Sequence, residues 1–189
     1  MKQESFAFRR ERFKTDFYGR ILSEPEIGYL AGIMDGEGTI HISRPISRVK
    51  DCKSPIYQTY IAVTNTEMCL LTWLQDRIGG IIRSIPTDKK TNIVRRPIWR
   101  WYCPIYRIAE FCKLLIPYSI IKRREFEIML EIRGTYRNQA KQGKQGIQKV
   151  PDADIAIRHS CYLELKDLHI RPNLRHPNLN RQNSDPTSQ

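Results

Sequence analysis

The chain has 189 residues, 40% of them hydrophobic, which is enough for one domain with its own core. Its formal net charge is +12, with Lys and Arg spread from end to end. That balance favours a polyanionic partner (DNA, RNA or an anionic membrane surface) over a basic but inert surface. No apolar run reaches the length of a membrane span, and "MKQESFAFRRERFKTDF" lacks the apolar stretch of a secretory signal. A spanning or secreted protein is therefore not expected, and the location is expected to be intracellular.

In chain order, residues 1–22 read as a basic, aromatic-dotted arm. Ser23 and Glu26 in "SEPE" form a capping box with Pro25 in the first turn, which predicts a helix running to about Asp35. "GTIHIS" and "IYQTYIAVTN" are rich in β-branched and aromatic residues and predict two strands. Thr64 and Glu67 suggest a second capping box, ahead of a helix "EMCLLTWLQDRIG" that stops at Gly79–Gly80. "IIRSIPT" and "RPIWRWYC" predict a second pair of strands. "PIYRIAEFCKLLI", "IIKRREFEIMLEIRGTY" and "DADIAIRHSCYLELKDLHI" predict helices, so that residues 23–170 make up the domain. Residues 171–189, with their prolines and asparagines, read as a mobile tail. The order predicts an α+β fold, with an antiparallel sheet covered by helices on one face and free on the other. In a basic protein that free face is a candidate DNA-reading surface.

The five cysteines, at positions 52, 69, 103, 112 and 161, form no CxxC pair and have no paired histidines nearby. Neither a zinc site nor a disulfide framework is expected, and the thiols read as small apolar fillers.

The stretch "YLAGIMDGEG", from Tyr29 to Gly38, poses a physical problem. Two acids, Asp35 and Glu37, fall at the end of an apolar helix, where the macrodipole disfavours negative charge. Gly28, Gly32 and Gly36 are spaced by four and fall along one ridge. Each costs about 1 kcal/mol against alanine in a helix interior, so the ridge implies close approach of another backbone. The partner helix is either elsewhere in the domain or the same helix of a second subunit. A twofold contact would be self-complementary and would bring two copies of Glu37 together. A divalent cation between them, held by oxygen ligands, relieves the repulsion.

"YLAGIMDGEG" resembles the LAGLIDADG motif of homing endonucleases, with Leu30, Ala31, Gly32, Ile33, Met34, Asp35, Gly36, Glu37 and Gly38 matching its nine positions. The element order, the helix after "VTN" and the "PYSIIK" segment resemble the single-motif class over roughly residues 24–135. The resemblance implies an αββαββα fold with a saddle-shaped sheet in the DNA major groove. It implies a homodimer meeting at the motif helices, here through Gly28, Gly32, Ile33, Asp35 and Gly36, with Asp35 capping and bracing helix ends. It implies an intron-encoded enzyme that cuts both strands of double-stranded DNA across the minor groove and leaves short 3′ overhangs. Mg2+ is the implied cofactor, with Mn2+ or Ca2+ as alternative occupants. The motif's last acid, Glu37, would hold the metal with the Gly36 carbonyl. Lys122 would stabilise phosphate charge or assist proton transfer. Asn65 would either orient the attacking water or cap the next helix. Where some members carry an arginine early in the second helix, this chain has Cys69.

Alternation from Glu37 puts Thr39, His41 and Ser43 on the DNA-facing side, continued by Ser47 and joined by Gln58, Tyr60 and Arg83. Arg44, Arg48, Lys50, Lys53, Lys89, Lys90, Arg95, Arg96 and Arg100 are candidates for base or phosphate contacts, and Arg123 for holding phosphate. Two alternatives of the same fold remain: an RNA-binding maturase and a non-cleaving DNA-binding regulator.

Overall fold

In a computed structural model, residues 22–46, 54–86, 97–136 and 150–170 are described. The N-terminal arm and the tail, apart from Leu22, lie outside them, as do Ser47, Arg48, Lys50, Cys52, Lys53, Lys89, Lys90, Arg95 and Arg96. The elements are α1 (Glu24–Glu37), β1 (Gly38–Ser43), β2 (Gln58–Asn65), α2 (Met68–Ile78), β3 (Ile81–Ile85), β4 (Ile98–Tyr102), α3 (Ile108–Leu115), α4 (Arg123–Tyr136) and α5 (Asp152–Ile170). This is the expected α+β order. No described helix is long and apolar enough to cross a membrane.

The capping box at Ser23 forms: its N–H donates to Glu26 Oε2 at 2.9 Å, and its hydroxyl donates to the same oxygen at 2.8 Å. The expected box at Thr64 and Glu67 does not. β2 continues through Asn65, so Thr64 is a strand residue whose hydroxyl accepts a bond from Arg100 Nε at 2.8 Å. α2 begins only at Met68, and Asn65 Oδ1 accepts the Glu67 N–H at 2.9 Å in its place. Residues 105–107 form a turn rather than helix, so α3 starts at Ile108.

The four strands pair antiparallel in the order β1-β2-β4-β3. Ile40 and Ile42 of β1, Ile61 and Val63 of β2 and Trp101 of β4 turn inward against α1, α2, α3 and α4. Trp101 is wholly buried, and its indole N–H donates to the Gly79 carbonyl at 2.8 Å. That carbonyl belongs to the Gly79–Gly80 turn that ends α2, where both residues take positive φ, 82° and 102°. A Cβ at Gly80 would lie 2.2 Å from the Tyr102 carbonyl oxygen, so the turn requires glycine there twice over.

α5 packs on α4 and along β1. Its Arg158 is buried, donates to Thr135 Oγ1 at 2.8 Å and lies over the Tyr136 ring at 4.1 Å. Of the described thiols, Cys103, Cys112 and Cys161 are buried and Cys69 is exposed. Burial pushes the Cys161 thiol up to about 11. These three act as small packing groups held in the protonated form.

Trp101→Phe keeps most of the ring volume but leaves the buried Gly79 carbonyl without its donor. We expect a loss of about 1–3 kcal/mol in urea-induced unfolding.

Candidate functional site

The site is built on the end of α1. Ile27, Leu30, Ala31, Ile33 and Met34 are buried against the core, whereas Gly28, Gly32 and Gly36 are exposed. A Cβ placed on any of these glycines meets nothing within 4 Å. The ridge therefore faces outward and packs on no described part of the chain. Ile33, expected at an interface, is only 8% exposed and belongs to the core of its own chain. The helix runs two residues further than expected, through Glu37, and passes directly into β1. Gly38 makes that junction: its N–H bonds the Met34 carbonyl, and a Cβ there would fall 2.4 Å from the same oxygen. Its φ of −71° is ordinary, so close approach and not backbone strain requires glycine.

Asp35 points away from the macrodipole of its own helix and into the start of another. Its carboxylate accepts the Ser119 hydroxyl at 2.5 Å and the backbone N–H groups of Ile120 at 2.8 Å, Ile121 at 3.2 Å and Lys122 at 3.1 Å. These groups lead into α4, where a negative charge is favoured. Burial alone would raise the Asp35 pKa, but the hydrogen bonds from Ser119, Ile120, Ile121 and Lys122 outweigh it and hold the group below its ordinary 3.8.

Lys122 returns the contact. Its ammonium donates to the carbonyls of Met34 at 2.8 Å, Asp35 at 3.1 Å and Gly38 at 2.7 Å. A lysine ammonium has three N–H bonds, and these three acceptors use them all. A cation thus sits on the negative end of α1, where the sequence supplies no basic residue in the last turn. Burial pulls Lys122 below the ordinary lysine value, against the opposing charges of Glu125, Asp35 and Glu37.

Glu37 is different from its neighbours. It is exposed, and among the described residues no hydrogen bond or ion pair holds its carboxylate. The Gly36 carbonyl is likewise without a described donor. These two oxygen groups, at the solvent-facing end of the glycine ridge, are the chemistry expected of hard-cation ligands. Among the described residues no group of three or more His, Cys, Asp or Glu is placed to hold a metal. Of the expected ligands, the structure thus brings together Glu37 and the Gly36 carbonyl, as neighbours at the end of α1. Asn65 lies at the same end of the sheet, two residues past Val63, the partner of Gly38. Its Oδ1 accepts the Glu67 N–H in the turn ahead of α2.

The sheet's open face gathers most of the remaining candidates. Thr39, His41 and Ser43 alternate with buried Ile40 and Ile42, and His41 and Ser43 pair with Tyr60 and Gln58. One residue from each strand forms a continuous row. The rings of His41 and Tyr60 lie 4.9 Å apart, those of Tyr60 and Tyr102 5.9 Å, and the Arg83 guanidinium is 6.0 Å from the Tyr102 ring. Burial, then the nearby His169, lowers the His41 pKa from 6.5, leaving a neutral ring at pH 7. Arg100 joins this face and pairs with Arg83 across the β3–β4 ladder. Arg44 is exposed just beyond β1. Arg123 stands apart, in the first turn of α4 beside Lys122.

Tyr102 and Ser119 were not among the expected site residues. Tyr102 follows from Trp101 facing inward, because alternation then turns Tyr102 outward. Ser119 is fully buried. Its only sequence signal is a hydroxyl residue just ahead of a helix start.

No family model matches the chain, and no curated protein sequence matches it. Solved structures do. The homing endonuclease I-CvuI, in complex with its target in the presence of calcium, superimposes with a TM-score of 0.55 at 16% identity, covering 79% of this chain and 83% of its own. I-SmaMI bound to an uncleaved DNA target with calcium gives 0.55 at 14% identity, over 78% of this chain and 47% of its own. The LAGLIDADG homing endonuclease I-GzeII in complex with its DNA target gives 0.51 at 15% identity, over 86% and 54%.

The Asp35 pKa is lower folded than unfolded, so its contribution to stability is complete above the ordinary carboxylate range and fades as pH falls through the folded value. Asp35→Asn should cost about 2 kcal/mol at neutral pH. Urea unfolding at a series of pH values should show the gap between variant and wild type closing in acid. The fold described by these elements, strand order and superpositions is that of the LAGLIDADG homing endonucleases.

Proposed function

We propose that this protein is a site-specific endonuclease of double-stranded DNA that works as a homodimer, inside the cell and encoded within a mobile intron. The observation that carries the reading is the division of labour at the end of α1. Asp35 and the nearby Met34, Asp35 and Gly38 carbonyls are tied down, while Glu37 and the Gly36 carbonyl are left open beside an exposed glycine ridge. The likeness to endonucleases solved with their DNA targets supports the substrate class.

In this reading the ridge of Gly28, Gly32 and Gly36 packs against its own copy about a twofold axis. Exposed Tyr29, Ile120 and Ile121 extend the apolar surface around the ridge. The chain covers 83% of I-CvuI but 47% of I-SmaMI, which fits one repeat unit per chain. The axis would bring the two Glu37 carboxylates together, and these with the Gly36 carbonyls would hold a divalent cation, Mg2+ in the cell. When bound, the metal supplies an activated water and stabilises charge on the phosphodiester. The chain's own part is to aim Glu37 at the minor groove and to hold the duplex. The open sheet face, with Thr39, His41, Ser43, Gln58, Tyr60, Arg83, Arg100 and Tyr102, lies in the major groove. Arg44 and Arg123 hold backbone phosphates.

Incubation with Mg2+ and a library of randomised duplexes, followed by sequencing of the ends, tests the activity. Cuts at one long site are expected. Tight RNA binding with no cut in any duplex would overturn the reading. Glu37→Gln should lower the cleavage rate at least ~1,000-fold and leave duplex binding in a gel-shift assay within a few-fold of wild type. Gly32→Leu forces the ridge apart, so sedimentation should report a monomer; an unchanged dimer would count against the interface.

A further inference from the structure

We propose that Lys122 is a positioning residue: it acts by holding the end of α1 so that the Gly36 carbonyl and Glu37 carboxylate point together at a cation. It does not touch the phosphate. This rests on the nuclease reading of the site above and assigns Lys122 a role different from a direct contact to the reacting group.

Three carbonyl oxygens at 2.7–3.1 Å use the three N–H bonds of the ammonium, and no donor remains for a substrate oxygen. The last carbonyls of a helix lack intrahelical donors. Lys122 takes those of Met34 and Asp35 and, across the junction, that of Gly38. It skips the carbonyls of Gly36 and Glu37, and the Gly36 carbonyl belongs to the residue next to the unengaged Glu37 side chain. The cation thus gathers neighbouring dipoles onto itself and leaves the Gly36 carbonyl and the Glu37 carboxylate unbonded to it.

The lysine is itself held from the other side. Asp35, whose carbonyl accepts from the ammonium, uses its carboxylate to grip the backbone N–H of Lys122 and the hydroxyl of buried Ser119. Displacing the ammonium towards a phosphate would take this donor from the Asp35 and Gly38 carbonyls on either side of Glu37 and leave Met34 with the Gly38 N–H alone. Ser119 belongs to the same device, because its hydroxyl fixes the carboxylate that fixes Lys122.

Mn2+ titration of the full-length protein, followed by electron paramagnetic resonance, reads the metal site without turnover, with Glu37→Gln identifying the site titrated. Lys122→Met is expected to weaken Mn2+ binding ~10-fold or more and to speed amide exchange at Gly36–Thr39. Single-turnover cleavage by the same variant should fall at low Mg2+ and recover towards wild type as Mg2+ saturates. Ser119→Ala, a milder change should Lys122→Met fold poorly, should shift the Mn2+ titration in the same direction. Unchanged Mn2+ affinity in Ser119→Ala or Lys122→Met overturns the proposal. A cleavage rate that stays ~100-fold down at saturating Mg2+ with metal affinity intact likewise overturns it, and makes Lys122 a direct participant. If the wild type binds Mn2+ through Glu37 but cuts no duplex, the nuclease reading fails while the positioning role stands on the titrations. If the wild type binds no Mn2+ at Glu37, both fail.

Discussion

Two helix ends in this protein neutralise each other. α1 arrives with an acid in its last turn and no base of its own, and α4 begins with its N–H groups in need of an acceptor. Asp35 satisfies the second need and Lys122 the first, through seven hydrogen bonds between the two segments. Either partner removed alone leaves the other's charge half-buried without compensation, which is why the arrangement behaves as one unit. Tyr118 adds a further tie from the same loop to Glu24 at the opposite end of α1.

That lock lets one short helix serve two surfaces. With its C-terminal end satisfied from inside the chain, α1 buries Ile27, Leu30, Ala31, Ile33 and Met34 and turns a row of bare glycines outward. The direct passage into β1 then depends on Gly38, since any side chain there would collide with the Met34 backbone. The direct connection of helix to strand places Glu37 immediately ahead of the strand that carries Thr39, His41 and Ser43.

The sheet contributes through register. His41 faces Tyr60 across β1 and β2 in the ladder, and Tyr60 and Tyr102 meet across the two central strands. Arg83, on the edge strand, completes the row. A slip of one residue in any strand would send this row into the core and the isoleucines out. Burial of Ile40, Ile42, Ile61, Val63 and Trp101 is therefore what aims the outer face.

Much of this was legible in the sequence because its causes are local. The Ser23 box, the Gly79–Gly80 stop and the β-branched run of β1 depend on neighbours a few residues away, and the bounds of β1 and α5 agree with the reading to the residue. So do the fold class and the motif that carries Glu37. Thr64 shows the limit: its pattern with Glu67 is that of a cap, but Arg100 from another strand claims the hydroxyl. The directions taken by Asp35 and Lys122 lie further beyond local reach, since their partners are 84 to 88 residues away. Composition and periodicity show that an acid ends an apolar helix. Only the tertiary structure decides that this acid caps a second helix, that a lysine from that helix caps the first, and that the Glu37 carboxylate has no partner among the described residues. Complementary charges at two helix ends are matched by packing, which no local pattern records.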